Sequence, residues 1–234
     1  MSAIKMASGA LNFSLHYSNK RRSIALQIAQ GHLTVRAPTG TDIAKINSVI
    51  AVKRHWIEQH LQRSALAVKP DWIANGCILL QGNLMALHVQ MTTTSAVALA
   101  DDKVTVSVST RQSKTSKEDS IRKLLQQWYK QLAMEWCAAR VAYWQHQMQL
   151  ESSAIVIGGW KTKWGYCKST AELGFNWRLM MAPDWVAEYV VVHELCHLRY
   201  LNHSAAFWQL VQQYYPRFAE AKLWLKQHQH QLEL

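Results

Sequence analysis

Two histidines and a glutamate stand close together in a strongly apolar stretch. His193, Glu194 and His197 follow the run Val190-Val191-Val192, and His203 comes six residues later. Histidines four positions apart lie on one face of a helix, one turn apart, so both imidazoles can bind the same ion. Imidazole nitrogens are common ligands of Zn2+. The spacing therefore predicts a zinc site on a buried helix, with Zn2+ as the cofactor.

Glu194 directly follows the first histidine, which favours the role of a general base over that of a metal ligand. Zn2+ acidifies a water molecule, and a carboxylate beside it can take up the proton as the water attacks a carbonyl. This chemistry predicts hydrolysis of a peptide bond. A buried network of hydrogen-bonded histidines and glutamate is the structural alternative, because an apolar helix tolerates such groups only when they are paired or bound to a metal.

A third protein ligand would complete the site and leave one position open. His203 is the first candidate, because Asn202 offers a helix end that would let the chain bring His203 back to the metal. Glu220, on a later helix, is the second candidate, since zinc hydrolases also use carboxylate ligands. Cys196 lies on a different helical face from the two histidines and is interpreted as core packing.

The elements around the motif follow from apolar periodicity and capping residues. Residues 119–149 keep helical spacing and predict a long amphipathic helix. Leu173–Met180 is typical of a strand, Pro183-Asp184 opens the motif helix, and Ser204 can cap the next one. Residues 160–167 form a loop rich in aromatic and basic residues.

The N-terminal half is typical of β-structure. Residues 11–37 alternate as strands in a predicted β-meander, and Thr41-Asp42 can cap a helix. Gln81-Gly82-Asn83 joins the two strands of a hairpin, and Val104, Val106 and Val108 alternate as one more strand. The polar segment 110–120 indicates a boundary, so we predict a β-rich domain over 1–115 and a second domain over 116–234.

Charge is distributed unevenly along the chain. The net charge is +11, from 26 basic and 15 acidic residues. Residues 1–118 hold 14 basic and 6 acidic residues, a net of +8, which is compatible with a nucleic-acid partner or with a solvated basic face. The alternative function is therefore a nucleic-acid-associated protein whose metal is mainly structural, or a protease acting on DNA-bound proteins.

The compartment is inferred from cysteine usage and hydropathy. The four cysteines are scattered without a CxxC pair, which predicts free thiols in a reducing compartment. No apolar run reaches the length of a transmembrane helix, and the first residues lack the apolar core of a secretory signal. We expect a cytoplasmic protein without a membrane partner.

Several motifs resemble the YgjP-like metallopeptidase family, which is related to the SprT-like and WLM zinc peptidases. They are Trp164-Gly165, Asn176-Trp177-Arg178-Leu179, Ala182-Pro183, Tyr189–Leu198 and Asn202-His203-Ser204 with Phe207-Trp208. The resemblance covers nearly the whole chain. This chain has Tyr166 where the family usually has Ser. The spacing to His203 also matches the metzincins, but Tyr200 stands where those have Gly.

The resemblance implies an α+β fold in which a small β-rich N-terminal domain precedes a zincin-like helical catalytic domain with a short sheet. It implies a zinc metallopeptidase, a hydrolase acting on peptide or protein substrates. His193, His197 and His203 would hold zinc, and Glu194 would be the base. By analogy with zincins, residues 175–179 would pair with an extended substrate. The candidates for substrate binding or oxyanion stabilisation are Tyr166, Lys163, Asn176 and Arg178.

Overall fold

The first part of the chain forms a four-stranded sheet and two helices. This computed structural model describes residues 4–8, 11–29, 31–66, 70–111 and 116–234. The strands are paired in the order β1-β2-β4-β3. The elements are β1 (Ile4–Ser8), β2 (Leu11–Ser18), β3 (Ala25–Ala29), β4 (His32–Pro38), α1 (Ile43–Val52) and α2 (Arg54–Leu66).

The strand order differs from the predicted meander. β4 lies between β2 and β3 and runs parallel to β2. The central position suits β4, because Leu33, Val35 and Ala37 are all fully buried. The cap of α1 is confirmed, since the Asp42 side chain accepts a hydrogen bond from the Ala44 amide at 3.2 Å.

The remainder of the chain contains two sheets and four helices among its described residues. One sheet has the order β5-β6-β8-β7 and the other the order β10-β11-β9. The strands are β5 (Cys77–Leu80), β6 (Asn83–Thr92), β7 (Ala96–Ala100), β8 (Lys103–Ser109), β9 (Ala154–Gly158), β10 (Gly165–Cys167) and β11 (Glu172–Asn176). The helices are α3 (Lys117–Met148), α4 (Asp184–Cys196), α5 (Ala205–Tyr214) and α6 (Phe218–His228). The α+β prediction is confirmed.

The compact units divide at a different place from the predicted boundary at 115. They are Met1–Lys69 and Pro70–Leu234. The β5–β8 sheet belongs to the second unit because its inward residues, among them Val104 and Val106, share one core with α3 and α4. Residues 112–115 of the polar segment predicted as the boundary lie outside the described residues, and α3 begins after Ser116, which is its cap.

The β5–β6 hairpin is hydrogen-bonded to the segment that leads into α4. The Gln81 amide donates to the Met180 carbonyl at 2.8 Å, and the Gly82 amide donates to the Met181 carbonyl at 3.2 Å. Gly82 has a positive φ of 80°, and a Cβ there would lie 2.7 Å from Cγ of Pro183. The turn thus fixes the start of α4 against the β5–β8 sheet.

The strand predicted over Leu173–Met180 is shorter in the structure. It ends at Asn176, and Trp177–Met181 forms a 3-10 helix. The Asn176 side chain stops the strand by accepting a hydrogen bond from the Arg178 amide at 3.2 Å. β11 is also paired on both sides, so its backbone is not open to an added peptide; β10 and β9 are the two edge strands.

None of the helices in the described ranges is both long enough and apolar enough to cross a bilayer.

Candidate active site

α4 carries the motif and is buried on nearly every side. Nine of its thirteen residues are buried, including Glu194. The helix ends at Cys196, and His197 caps it, so the predicted end at Asn202 is wrong. The chain instead turns through residues 198–200, where the Arg199 and Tyr200 amides donate to the Cys196 carbonyl. Ser204 then caps α5 as predicted, accepting from the Phe207 amide at 3.4 Å.

The turn after α4 brings three histidines together. One ring nitrogen from each of His193, His197 and His203 lies within 4.8 Å of the others, an arrangement that could hold a metal ion. Nε2 of His193 and Nε2 of His203 are 3.1 Å apart. Two ligands at 2.0–2.1 Å from a tetrahedral Zn2+ are separated by about 3.4 Å, which is close to the separation of these two nitrogens.

The second candidate for the third ligand lies in another environment. Glu220 is exposed and forms an ion pair with Arg217 at 3.0 Å. The metal-binding cluster found among the described residues consists of the three histidines and does not include Glu220.

The outward-facing nitrogens of two of these histidines have polar partners. Nδ1 of His197 is 2.9 Å from the Tyr200 carbonyl, which it contacts as a donor, leaving Nε2 for a metal. The hydroxyl of Tyr189 is 3.4 Å from Nδ1 of His193. Phe207 packs against all three imidazole rings. Such contacts orient imidazole ligands and fix which nitrogen faces the ion.

Burial sets the protonation states of the motif. It lowers the pKa of His193 to about 3, helped by the neighbouring His197 and His203, so this imidazole is neutral and able to bind a cation. Burial also raises the pKa of Glu194 to about 8, while the nearby Lys163 acts in the opposite direction. A carboxyl with a pKa near neutrality can both accept and release a proton.

Gly165, the first residue of β10, lies directly against Glu194. A Cβ added at Gly165 would be 2.7 Å from Cγ and from Oε1 of Glu194. Alternate residues of a strand share a face, so Cys167 points to the same side. Accordingly, the pKa of the Cys167 thiol is raised by burial and by the Glu194 charge. Tyr166 faces the opposite side.

A cavity of about 340 Å3 opens beside the motif. Its wall includes Trp164 and Gly165 at β10, and His193 and Glu194 on α4. The other side comes from α6, which contributes residues that include Lys222, Leu225 and Lys226. The cavity therefore holds the candidate base and one of the candidate ligands in a partly apolar recess.

Two of the predicted substrate-binding residues have structural partners. The Tyr166 hydroxyl donates to Oε1 of Glu172 at 2.6 Å. Asn176 is buried, and its amide donates to the carbonyls of Trp160 at 2.7 Å and of Lys163 at 3.0 Å. These bonds hold the 160–163 loop, and neither residue lines the described cavity.

The two cationic candidates also lie outside the cavity wall. The Arg178 guanidinium stacks on the Trp177 ring at 4.4 Å. The Lys163 ammonium lies 4.5 Å from the Tyr166 ring centroid and 5.1 Å from that of Trp160. Lys163 is the candidate that affects the motif, through its electrostatic effect on Glu194.

The sequence interpretation missed the α6 wall. Lys222 and Lys226 are four residues apart, which places both on one helical face. That spacing is evident in the sequence, but it does not show that the helical face with the two lysines packs toward α4. The contact depends on the packing of α6 against α4.

Comparisons with known proteins place the chain in a family. The profile of the family described as YgjP-like, metallopeptidase domain, matches residues 22–228. No curated protein matches the chain. Among solved structures, the metallopeptidase zymogen of Pyrococcus abyssi abylysin is similar, with 17% identity, a TM-score of 0.37, and coverage of 41% of this chain and 97% of that chain. Since the family match spans most of its length, the chain belongs to the YgjP-like metallopeptidase family.

Proposed function

We propose that this metallopeptidase is a zinc enzyme, with His193, His197 and His203 as ligands and Glu194 as general base. The observation that carries the proposal is the convergence of three imidazole nitrogens within 4.8 Å. Two imidazoles from one helix and a third from the following turn match the three-ligand pattern of catalytic zinc sites.

Glu194 has the surroundings that a proton-transfer group needs. When bound, Zn2+ supplies a Lewis acid that acidifies water and polarises the scissile carbonyl. Glu194 accepts the proton of the attacking water and returns it to the departing amine. Burial raises the pKa of this carboxyl in the metal-free chain, and the positive charge of Lys163 acts to lower it.

β10 is the strand along which we propose that the substrate binds. It is one of the two edge strands of its sheet, and it carries Gly165, whereas β11 is enclosed between β10 and β9. A peptide added to β10 gains backbone hydrogen bonds and passes Gly165, the residue in contact with Glu194. The scissile bond is then held beside the base.

The nucleic-acid alternative and the cytoplasmic location stay predictions from the sequence. The family match concerns a peptidase domain and does not bear on either of them.

The proposal is tested by metal content and peptide hydrolysis in the same set of variants. We expect about one Zn2+ per chain in the wild type and in Glu194→Gln, with hydrolysis reduced at least 1,000-fold in Glu194→Gln. His203→Ala should lose both zinc and hydrolysis, and Glu220→Gln serves as the matched control that keeps both. Undiminished cleavage by Glu194→Gln, or zinc lost from Glu220→Gln and kept by His203→Ala, would overturn the assignment.

A further inference from the structure

α6 places two lysines in the wall of the cavity that contains Glu194. Lys222 and Lys226 are one helical turn apart and both line the cavity. Between them, Leu225 is buried and contributes an apolar surface. The wall that contains the proposed catalytic groups therefore also contains two basic residues.

Lys222 is held in place by aromatic contacts that lead to the histidine cluster. Its ammonium lies 4.7 Å from the centroid of the Trp208 ring, within range of a cation–π interaction. Trp208 in turn stacks on His203, with ring centroids 5.5 Å apart. The position of this positive charge is therefore coupled to the same residues that order the proposed metal ligand.

The rest of the cavity lining is mostly apolar. Trp164, Val190 and Leu225 contribute hydrophobic surface, and Glu194 is the acidic residue among the described lining residues. A ligand group that matches this wall has an apolar stem and a negatively charged tip. In a peptide, both an acidic side chain and the C-terminal residue with its carboxylate have this form.

We propose that the cavity binds a carboxylate of the peptide substrate, with Lys222 and Lys226 as the residues that determine this specificity. The inference rests on the proposed peptidase function and adds the substrate class to it. Two lysines can bind one carboxylate together as charge-assisted hydrogen-bond donors. The carboxylate comes from an aspartate or glutamate side chain near the scissile bond or from the C-terminus of the substrate.

Both lysines are exposed, so the expected discrimination is moderate. Exposed ion pairs are screened by water and by salt. We expect kcat/KM for a peptide with the carboxylate to exceed that for its neutral counterpart by about tenfold at low ionic strength, mainly through KM. The ratio should fall as salt is added.

The experiment uses the zinc-loaded full chain and two matched pairs of fluorogenic peptides. One pair differs by Glu against Gln at each position flanking the cleaved bond. The other pair has a free C-terminal carboxylate or a C-terminal amide. The pair that shows the preference identifies the source of the carboxylate.

The variants are Lys222→Gln with Lys226→Gln, and Lys226→Glu. The double variant should reduce the preference of the responding pair to about twofold or less. Lys226→Glu should reduce it further and favour a peptide with Lys at the same position. Lys130→Gln, an exposed lysine of α3, is the control that keeps the wild-type ratio.

Binding separates this inference from the proposed function. The same peptide pairs are titrated into zinc-loaded Glu194→Gln, with and without the two lysine substitutions, by calorimetry. A carboxylate preference in binding that depends on the lysines supports the inference even if wild type cleaves neither peptide, an outcome that would overturn only the peptidase proposal. Equal cleavage and equal binding of both members of each pair, or a preference that survives the double variant, would overturn the inference alone.

Discussion

Gly165 and Glu194 are in such close contact that a single added carbon would displace the carboxylate. A Cβ at Gly165 would lie 2.7 Å from Cγ and Oε1 of Glu194 and 2.9 Å from Cδ. The first residue of the edge strand therefore defines one side of the space that the proposed base occupies.

Gly165→Ala should reduce activity more than stability. The added methyl meets the end of a side chain that can rotate away, so the fold adapts while Glu194 leaves its working position. We expect kcat/KM to fall about 10- to 100-fold, because small displacements of a catalytic group are costly. Peptide hydrolysis and thermal unfolding are measured together.

Gly40→Ala is the contrasting variant in the other compact unit. Gly40 has a φ of +83° and open space around its Cβ position, so alanine there strains the backbone without touching the site. It should lower the Tm and leave kcat/KM unchanged. Full activity in Gly165→Ala would show that Glu194 does not need its present position.

Glu194→Gln should stabilise the metal-free protein at alkaline pH. Burial raises the pKa of Glu194 from 4.5 to about 8, so folding favours the protonated carboxyl. This contribution is fully present below pH about 4.5, declines as the pH rises because the unfolded chain ionises first, and is lost above pH about 8. Glutamine does not ionise, so the variant does not have this pH-dependent change in the free energy of unfolding.

The measurement is the Tm of both proteins in EDTA from pH 5 to pH 8.5. The variant should gain on wild type as the pH rises, reaching a difference of about 5 °C or more at the upper end. A difference that stays constant over the range would contradict the raised pKa. His193, whose pKa is lowered, is present in both proteins, so its contribution largely cancels.

Asn176→Ala should act on stability rather than directly on catalysis. The substitution leaves the carbonyls of Trp160 and Lys163 without their amide donor and removes the cap of the 3-10 helix. We expect a loss of about 3 kcal/mol in the free energy of unfolding. Urea unfolding of the metal-free protein measures it.

Asn83→Ala is the comparison for that measurement. Asn83 is exposed and its one described side-chain bond, to the Gln81 carbonyl, is 3.4 Å long, so its loss should change the free energy of unfolding by less than about 0.5 kcal/mol. If Asn176→Ala instead kept its stability and lost kcat, the oxyanion role predicted from sequence would be favoured.

The sequence was sufficient to predict the histidine motif, but it was not sufficient to predict the elements that surround the motif. The four-residue spacing of His193 and His197 is a local property of a helix, so it could be inferred directly. The return of His203 was also predicted, although the mechanism differs, because the helix ends at Cys196 rather than at Asn202. The three histidines therefore lie close together in the structure even though the helix ends earlier than predicted.

The errors arose where tertiary contacts decide the local structure. The apolar run 173–180 was interpreted as one strand, because periodicity cannot show that the Asn176 side chain caps a 3-10 helix. The cavity wall on α6 was missed for a similar reason: which face of a helix meets a partner is set by packing at long range. Tyr166 was named for its chemistry, and its strand position turns it away from Glu194.

The hydrogen bonds between the β5–β6 turn and the 3-10 helix have a consequence for the dynamics of the protein. They join residues 99 positions apart in sequence, as in the pair Gln81 and Met180. Separating the turn from the helix breaks these bonds and uncovers a core that the β5–β8 sheet shares with α4. We therefore expect α4 and the β5–β8 sheet to open as one cooperative unit, so that the exchange of the Gln81 and Gly82 amide hydrogens with solvent reports the opening of the candidate active site.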